Sequence, residues 1–167
     1  MDKQTATDIL KTAILLERRG KAFYSTVAKQ TQSKAVKEIF TTLAEEEDEH
    51  IEFLSKQFAH YGKTKSFLKN EFKATPDHAD VKRILSEDIK KQISAADYEA
   101  AAISAAIEFE NRSIEVYATR AEESDDPNEK EMYEMLADWE RTHHKLLHKM
   151  NEELQEQIWY DNKFWPF

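Results

Sequence analysis

Apolar residues recur along most of this chain with a helical period, and in four stretches they gather into one stripe. The first predicted helix spans about residues 5–30, with Ala6, Leu10, Ala13, Ile14, Tyr24 and Ala28 on one face and Thr5 and Asp8 spaced as a capping box. The second, about 33–61, starts on Ser33 as N-cap and is expected to stop at Gly62. Its stripe holds Val36, Phe40, Leu43, Ala44, Ile51, Leu54 and Phe58. Only Thr31-Gln32 separates the two, which makes them an antiparallel hairpin. The third helix, about 94–123, carries Ile103, Ala106, Ile107, Ile114, Tyr117 and Ala121. The fourth, about 127–157, begins with Asp126 as N-cap, Pro127 at N1 and Glu129 at N3, and aligns Tyr133, Leu136, Ala137, Leu147 and Leu154. Residues 63–93 are too long for a hairpin turn and read as a crossover, with a short amphipathic helix expected over about 80–91. The aromatic tail, 158–167, is expected to dock on its own bundle or on a second subunit. The pattern predicts one all-α domain over 1–157, an antiparallel four-helix bundle made of two hairpins joined by one long crossover.

Each stripe is interrupted at its centre by an acid: Glu17, Glu47, Glu110 and Glu140. In the second and fourth helices a histidine follows three residues later on the same face, giving Glu47-x-x-His50 and Glu140-x-x-His143. A carboxylate in an apolar stripe is costly unless something compensates its charge. Arg18, Arg19, Glu45, Glu49, Glu108 and Glu115 point the other way, and Glu46 and Asp48 only flank Glu47. The acidic run 45–49 is therefore expected to contribute one core carboxylate and several solvated ones.

The two halves repeat. Residues 13–54 slide onto 106–147 at a constant offset of 93 without a gap, with fourteen identities in forty-two positions. The identities include all four central glutamates, both histidines and the pair Tyr24/Tyr117. Two hairpins related in this way pack about a pseudo-two-fold axis, which brings the four acids and two imidazoles into one core. Four glutamates carry −4 and two divalent ions +4, so a dimetal site is neutral there. Oxygen-rich ligation with one imidazole per ion suits iron or manganese better than tetrahedral zinc. Tyr24 and Tyr117 lie two turns from Glu17 and Glu110, where they either fill the core or take a catalytic part, by hydrogen-bonding a ligand or carrying a radical. His60, His78, His144 and His148 are read as surface residues, and Glu99 as a polar residue at the end of the bundle.

Composition narrows the chemistry. The 167 residues include two glycines, three prolines and no cysteine, so thiolate metal sites, iron–sulfur clusters and disulfides are excluded within them. The net charge of −9 argues against nucleic acid or an anionic membrane as partner. No apolar stretch approaches the roughly 20 residues of a bilayer span, and the N-terminus lacks a basic start followed by an apolar run. A cytoplasmic protein is expected.

The motifs Glu17-x-x-Gly20-x-x-Phe23-Tyr24, Glu47-x-x-His50, Glu110-x-x-Ser113-x-x-Val116-Tyr117 and Glu140-x-x-His143 resemble those of the rubrerythrin branch of the ferritin-like di-iron carboxylate superfamily. That resemblance covers nearly all of 5–157. It implies a ferritin-like bundle holding two iron ions, with Glu47 and Glu140 as bridges and Glu17 and Glu110 as terminal ligands beside His50 and His143. It also implies a homodimer that reduces hydrogen peroxide or dioxygen with an external electron donor such as a rubredoxin-like protein. Two departures stand out. Full-length rubrerythrins add a rubredoxin-like domain with four cysteines, of which these residues hold none. They also usually carry a further glutamate one turn after the third-helix ligand, where this chain has Ser113, leaving a more symmetric site like that of bacterioferritins. Ferroxidase or iron-handling chemistry, and a di-manganese, catalase-like or mixed-metal site, are the alternatives. Ala13, Gly20, Ala106 and Ser113 are small enough to leave room for an oxidant.

Overall fold

Thr5 opens the first helix by accepting the Asp8 backbone N–H at 3.2 Å, and Ser33 opens the second by accepting that of Val36 at 3.3 Å. Both are N-caps that satisfy donors the first turn would otherwise leave free. The structure is a computed structural model that describes residues 5–69 and 98–161. Within them run four helices: α1 (Ala6–Gln30), α2 (Lys34–Thr64), α3 (Tyr98–Glu123) and α4 (Pro127–Asp161). Among the described residues there is no strand, and no helix is long and apolar enough to cross a membrane. The expected helix over 80–91, the start of the third helix at 94–97 and residues 162–167 of the tail lie outside the described residues.

Helix α1 packs along α2 and α3 along α4, and the two antiparallel hairpins close into a four-helix bundle. Each hairpin has its own fastening. Asp126 Oδ1 accepts the N–H groups of Asn128 at 2.8 Å and Glu129 at 3.2 Å, as the capping pattern predicts. Glu129 itself turns to Arg120, which donates Nε and Nη2 to Oε1 at 2.9 and 2.6 Å and so clamps the end of α3 to the start of α4. At the other end of the bundle Glu99 of α3 accepts from the Thr31 hydroxyl at 2.6 Å and from Gln32 N–H at 3.3 Å. The polar residue expected there thus ties one hairpin to the turn of the other. Burial alone would raise its pKa; the hydrogen bond from Thr31 and the backbone N–H groups outweigh that and lower it.

Two helices run past their expected ends. Gly62 does not stop α2, which continues to Thr64 and closes on Lys65 in the left-handed region (φ 59°), its N–H donated to the Tyr61 carbonyl. Phe67 then turns back into the core against Tyr61, ring centroids 4.8 Å apart. Gln57 holds this return by accepting Leu68 N–H at 3.0 Å and donating to the Leu68 carbonyl at 3.2 Å. Helix α4 continues to Asp161, so residues 158–161 of the expected tail belong to it.

The core is divided into two apolar clusters that the repeat exchanges. One contains Ile39, Phe40, Leu43, Ala44, Ile103 and Ala106, with Tyr24. The other contains Met132, Tyr133, Leu136, Ala137, Leu10 and Ala13, with Tyr117. Each of these residues lies 93 positions from its counterpart. Along every helix the central glutamate falls between members of the two clusters, so the polar groups occupy the middle of the bundle.

Candidate metal centre

All six residues singled out by the stripes are buried together. Glu17, Glu47, Glu110 and Glu140 are at most 1% exposed, and His50 and His143 are fully enclosed. Their ligand atoms form two groups, Glu17–Glu47–His50–Glu140 and Glu47–Glu110–Glu140–His143, each with its atoms within 4.8 Å of one another. Glu47 and Glu140 belong to both. Glu140 turns Oε1 to His50 Nδ1 at 3.2 Å and Oε2 to His143 Nδ1 at 3.1 Å. Glu47 does the same, with Oε2 3.5 Å from His50 and Oε1 3.8 Å from His143. Glu17 reaches only His50, at 3.0 Å, and Glu110 only His143, at 3.5 Å. Two carboxylates are thus shared between the imidazoles, and two face one imidazole each.

The tyrosines join the cluster rather than merely filling space. Tyr117 of α3 donates its hydroxyl to Glu17 Oε1 on α1, and Tyr24 of α1 donates to Glu110 Oε1 on α3. Each fixes the terminal glutamate of the opposite hairpin, and the two contacts exchange under the repeat. Burial, with the Glu110 charge, raises the Tyr24 pKa well above 10, so its hydroxyl keeps its proton and remains a donor.

With protein groups alone the centre is poorly satisfied. Among the described residues, both oxygens of Glu47 and of Glu140, and Oε2 of Glu110, are buried without a hydrogen-bond partner. Burial raises Glu47 well above its ordinary value, with the Glu17 charge adding to it. Burial and Glu140 lift Glu110 to about 8, against the pull of His143. For the imidazoles burial acts downward, but Glu140 holds His50, and Glu110 holds His143, well above 6.5. Burial would raise Glu140 too, yet the two histidines pull it below 4.5. Five orphaned carboxylate oxygens converging at ligand spacing fit a pair of divalent cations, which would take the place of the protons these groups otherwise hold.

Two side chains, Glu46 and Gly20, differ from the reading of the sequence. Glu46 is buried rather than flanking: its Oε2 lies 2.7 Å from His143 Nε2 and accepts Trp139 Nε1 at 3.0 Å. The acidic run thus gives the core two carboxylates. The signal was there in the spacing, since Glu46 sits one turn before His50 on the same face and Trp139 lies 93 residues on. Gly20 does not leave free room, because a Cβ there would stand 2.9 Å from Phe109 Cε1 and 3.3 Å from Glu47 Cδ. Ser113 lies on the inward face of α3, as its register predicts, with its hydroxyl donated to the Phe109 carbonyl at 3.2 Å. Ala13, by contrast, does line a cavity of about 310 Å³, along with Ile9, Thr12, Val116, Tyr117 and Tyr133. That cavity lies beside Tyr117, not at the carboxylates.

Comparison with known proteins agrees with this geometry. A protein from Pyrococcus furiosus described as hypothetical has a similar fold, with a TM-score of 0.67 and 24% identity over 91% of each chain. No curated protein matches the sequence. A family model described as Rubrerythrin matches residues 8–151, which spans most of the four helices and all six converging side chains. With a ferritin-like bundle and a carboxylate–histidine cluster at its middle, the chain belongs to the rubrerythrin family.

Proposed function

We propose that this protein is a non-haem di-iron oxidoreductase that reduces hydrogen peroxide or dioxygen with electrons from an external donor. One observation carries the reading: two four-residue groups, each with one imidazole, overlap in Glu47 and Glu140. Glu17, Glu47, His50, Glu110, Glu140 and His143 would hold two irons, which would supply two electrons to an oxidant. The protein's own part is to bind, neutralise and orient. Glu47 and Glu140 offer an oxygen to each side, and Glu17 and Glu110 close the two ends. Tyr24 and Tyr117 hold Glu110 and Glu17 in place and keep a proton at a carboxylate oxygen. The apolar clusters on either side exclude water and lower the local dielectric, which strengthens each of these contacts. The 167 residues contain no cysteine and so hold no thiolate-bound redox centre, and in this reading the electrons reach the site from outside them.

Rapid mixing of the anaerobic, ferrous-loaded protein with hydrogen peroxide tests this. Oxidation well ahead of an aqueous ferrous control is the expected result, and a rate equal to the control would overturn the reading. Ser113 favours ferroxidase chemistry as the second reading, since the chain lacks a further carboxylate at that position. Iron uptake continuing well beyond two ions per chain, with a mineral product, would select it.

A further inference from the structure

The ligand atoms obey the pseudo-two-fold axis, but their surroundings do not. His143 presents Nδ1 to the carboxylates and turns Nε2 outward to Glu46 Oε2 at 2.7 Å. With Nδ1 turned to a cation, Nε2 carries the proton and donates it. The same Glu46 oxygen accepts Trp139 Nε1, so the acceptor is itself held in place. His50 also presents Nδ1 to the carboxylates, but its Nε2 has no hydrogen-bond partner among the described residues. The reason lies in the repeat: the counterpart of Glu46 is Trp139. Its indole meets the His50 ring at 90° with centroids 4.6 Å apart, and an indole has no acceptor lone pair to offer. One residue pair therefore gives one imidazole a carboxylate and denies it to the other.

A carboxylate behind a metal-bound histidine fixes its tautomer and raises its basicity, and removing such a partner typically costs about 10–100-fold in metal affinity. We propose that Glu46 and Trp139 make the two metal positions inequivalent, so that the position built on His143 and Glu110 takes a divalent ion first and more tightly than that built on His50 and Glu17. This rests on the reading of the cluster as a dimetal site. Glu46 acts as a positioning residue, through His143.

The test is anaerobic titration of the metal-free full chain with Co(II), followed by calorimetry and visible absorption, in two variants that the repeat makes equivalent. Glu17→Gln weakens the His50 position and should keep the tight first step. Glu110→Gln weakens the His143 position and should bind its first Co(II) about tenfold or more less tightly. Adding Glu46→Gln to each should bring the two first steps together, by weakening binding only in the background that retains the His143 position. A general loss of structure would weaken both backgrounds alike. Equal first steps in Glu17→Gln and Glu110→Gln, or a gap that survives Glu46→Gln, would overturn the inequivalence while leaving the dimetal reading intact. Absence of Co(II) binding by the unaltered protein would overturn the dimetal reading itself, and the proposal with it.

Discussion

Glycine inside a helix costs about 1 kcal/mol relative to alanine, and α1 accepts that cost at Gly20, one turn beyond Glu17. A methyl group there would stand 2.9 Å from the Phe109 ring and 3.3 Å from the carboxyl carbon of Glu47, one of the two shared carboxylates. Gly62 is the natural control, since nothing lies within 4 Å of the Cβ it lacks and its φ is negative. Gly62→Ala should stabilise the protein by about 0.5–1 kcal/mol in urea unfolding. Gly20→Ala should show none of that gain, and should weaken Co(II) binding by displacing Glu47. An equal gain at both positions would show that Phe109 yields freely. The comparison also marks what was legible at this scale. Glu17, Glu47, His50, Glu110, Glu140 and His143 stood out because polar groups centred on apolar stripes are conspicuous, and because each recurs 93 residues away. Gly20 did not, and for Glu46 the spacing marked only its face, because their partners, Phe109 and His143 with Trp139, come from the other hairpin. A helical period shows which way a residue faces, not what faces it.

At the scale of elements, the starts of the helices follow from local chemistry and the ends do not. Thr5 and Ser33 accept their first-turn N–H groups within four residues of sequence, where the pattern is readable, and Asp126 does the same. The end of α2 depends instead on Phe67 returning to Tyr61 and on Gln57 bracketing Leu68, contacts made across no more than eleven residues but only once the core exists. Gly62, exposed and unstrained, therefore had no power to end the helix. Asp126→Ala removes an acceptor shared by two backbone donors and should cost about 1 kcal/mol. The Arg120–Glu129 clamp remains in that variant, so hydrogen exchange should quicken in the first turn of α4 and leave the middle of the bundle protected. Faster exchange at the residues around Glu140 would mean that the cap supports the centre directly.

For the whole molecule, the buried centre couples stability to pH. Without a cation, Glu110, Glu47, His50 and His143 all bind a proton more tightly in the folded chain than in the unfolded one. For groups of that sign the stabilisation is fully present at low pH and is lost as pH rises. Glu110 loses its share between 4.5 and about 8, and the imidazoles begin to lose theirs above 6.5. Glu140 runs the other way: its pKa is depressed, so its contribution is present above 4.5 and disappears on acidification below that value. The melting temperature of chelator-treated protein should therefore peak near about pH 5 and fall toward about pH 8. Divalent metal should reverse the trend, because it displaces those protons and binds the folded state alone. Thermal melts of chelated and Mn(II)-loaded protein from about pH 5 to about pH 8.5 check both halves of the argument. The gap between the two melting curves should widen with pH, and buffer-dependent calorimetry should detect protons released on binding. A melting temperature of the chelated protein that rises through this range would mean that the carboxylates enter the core ionised, with the two imidazoles unable to hold their protons.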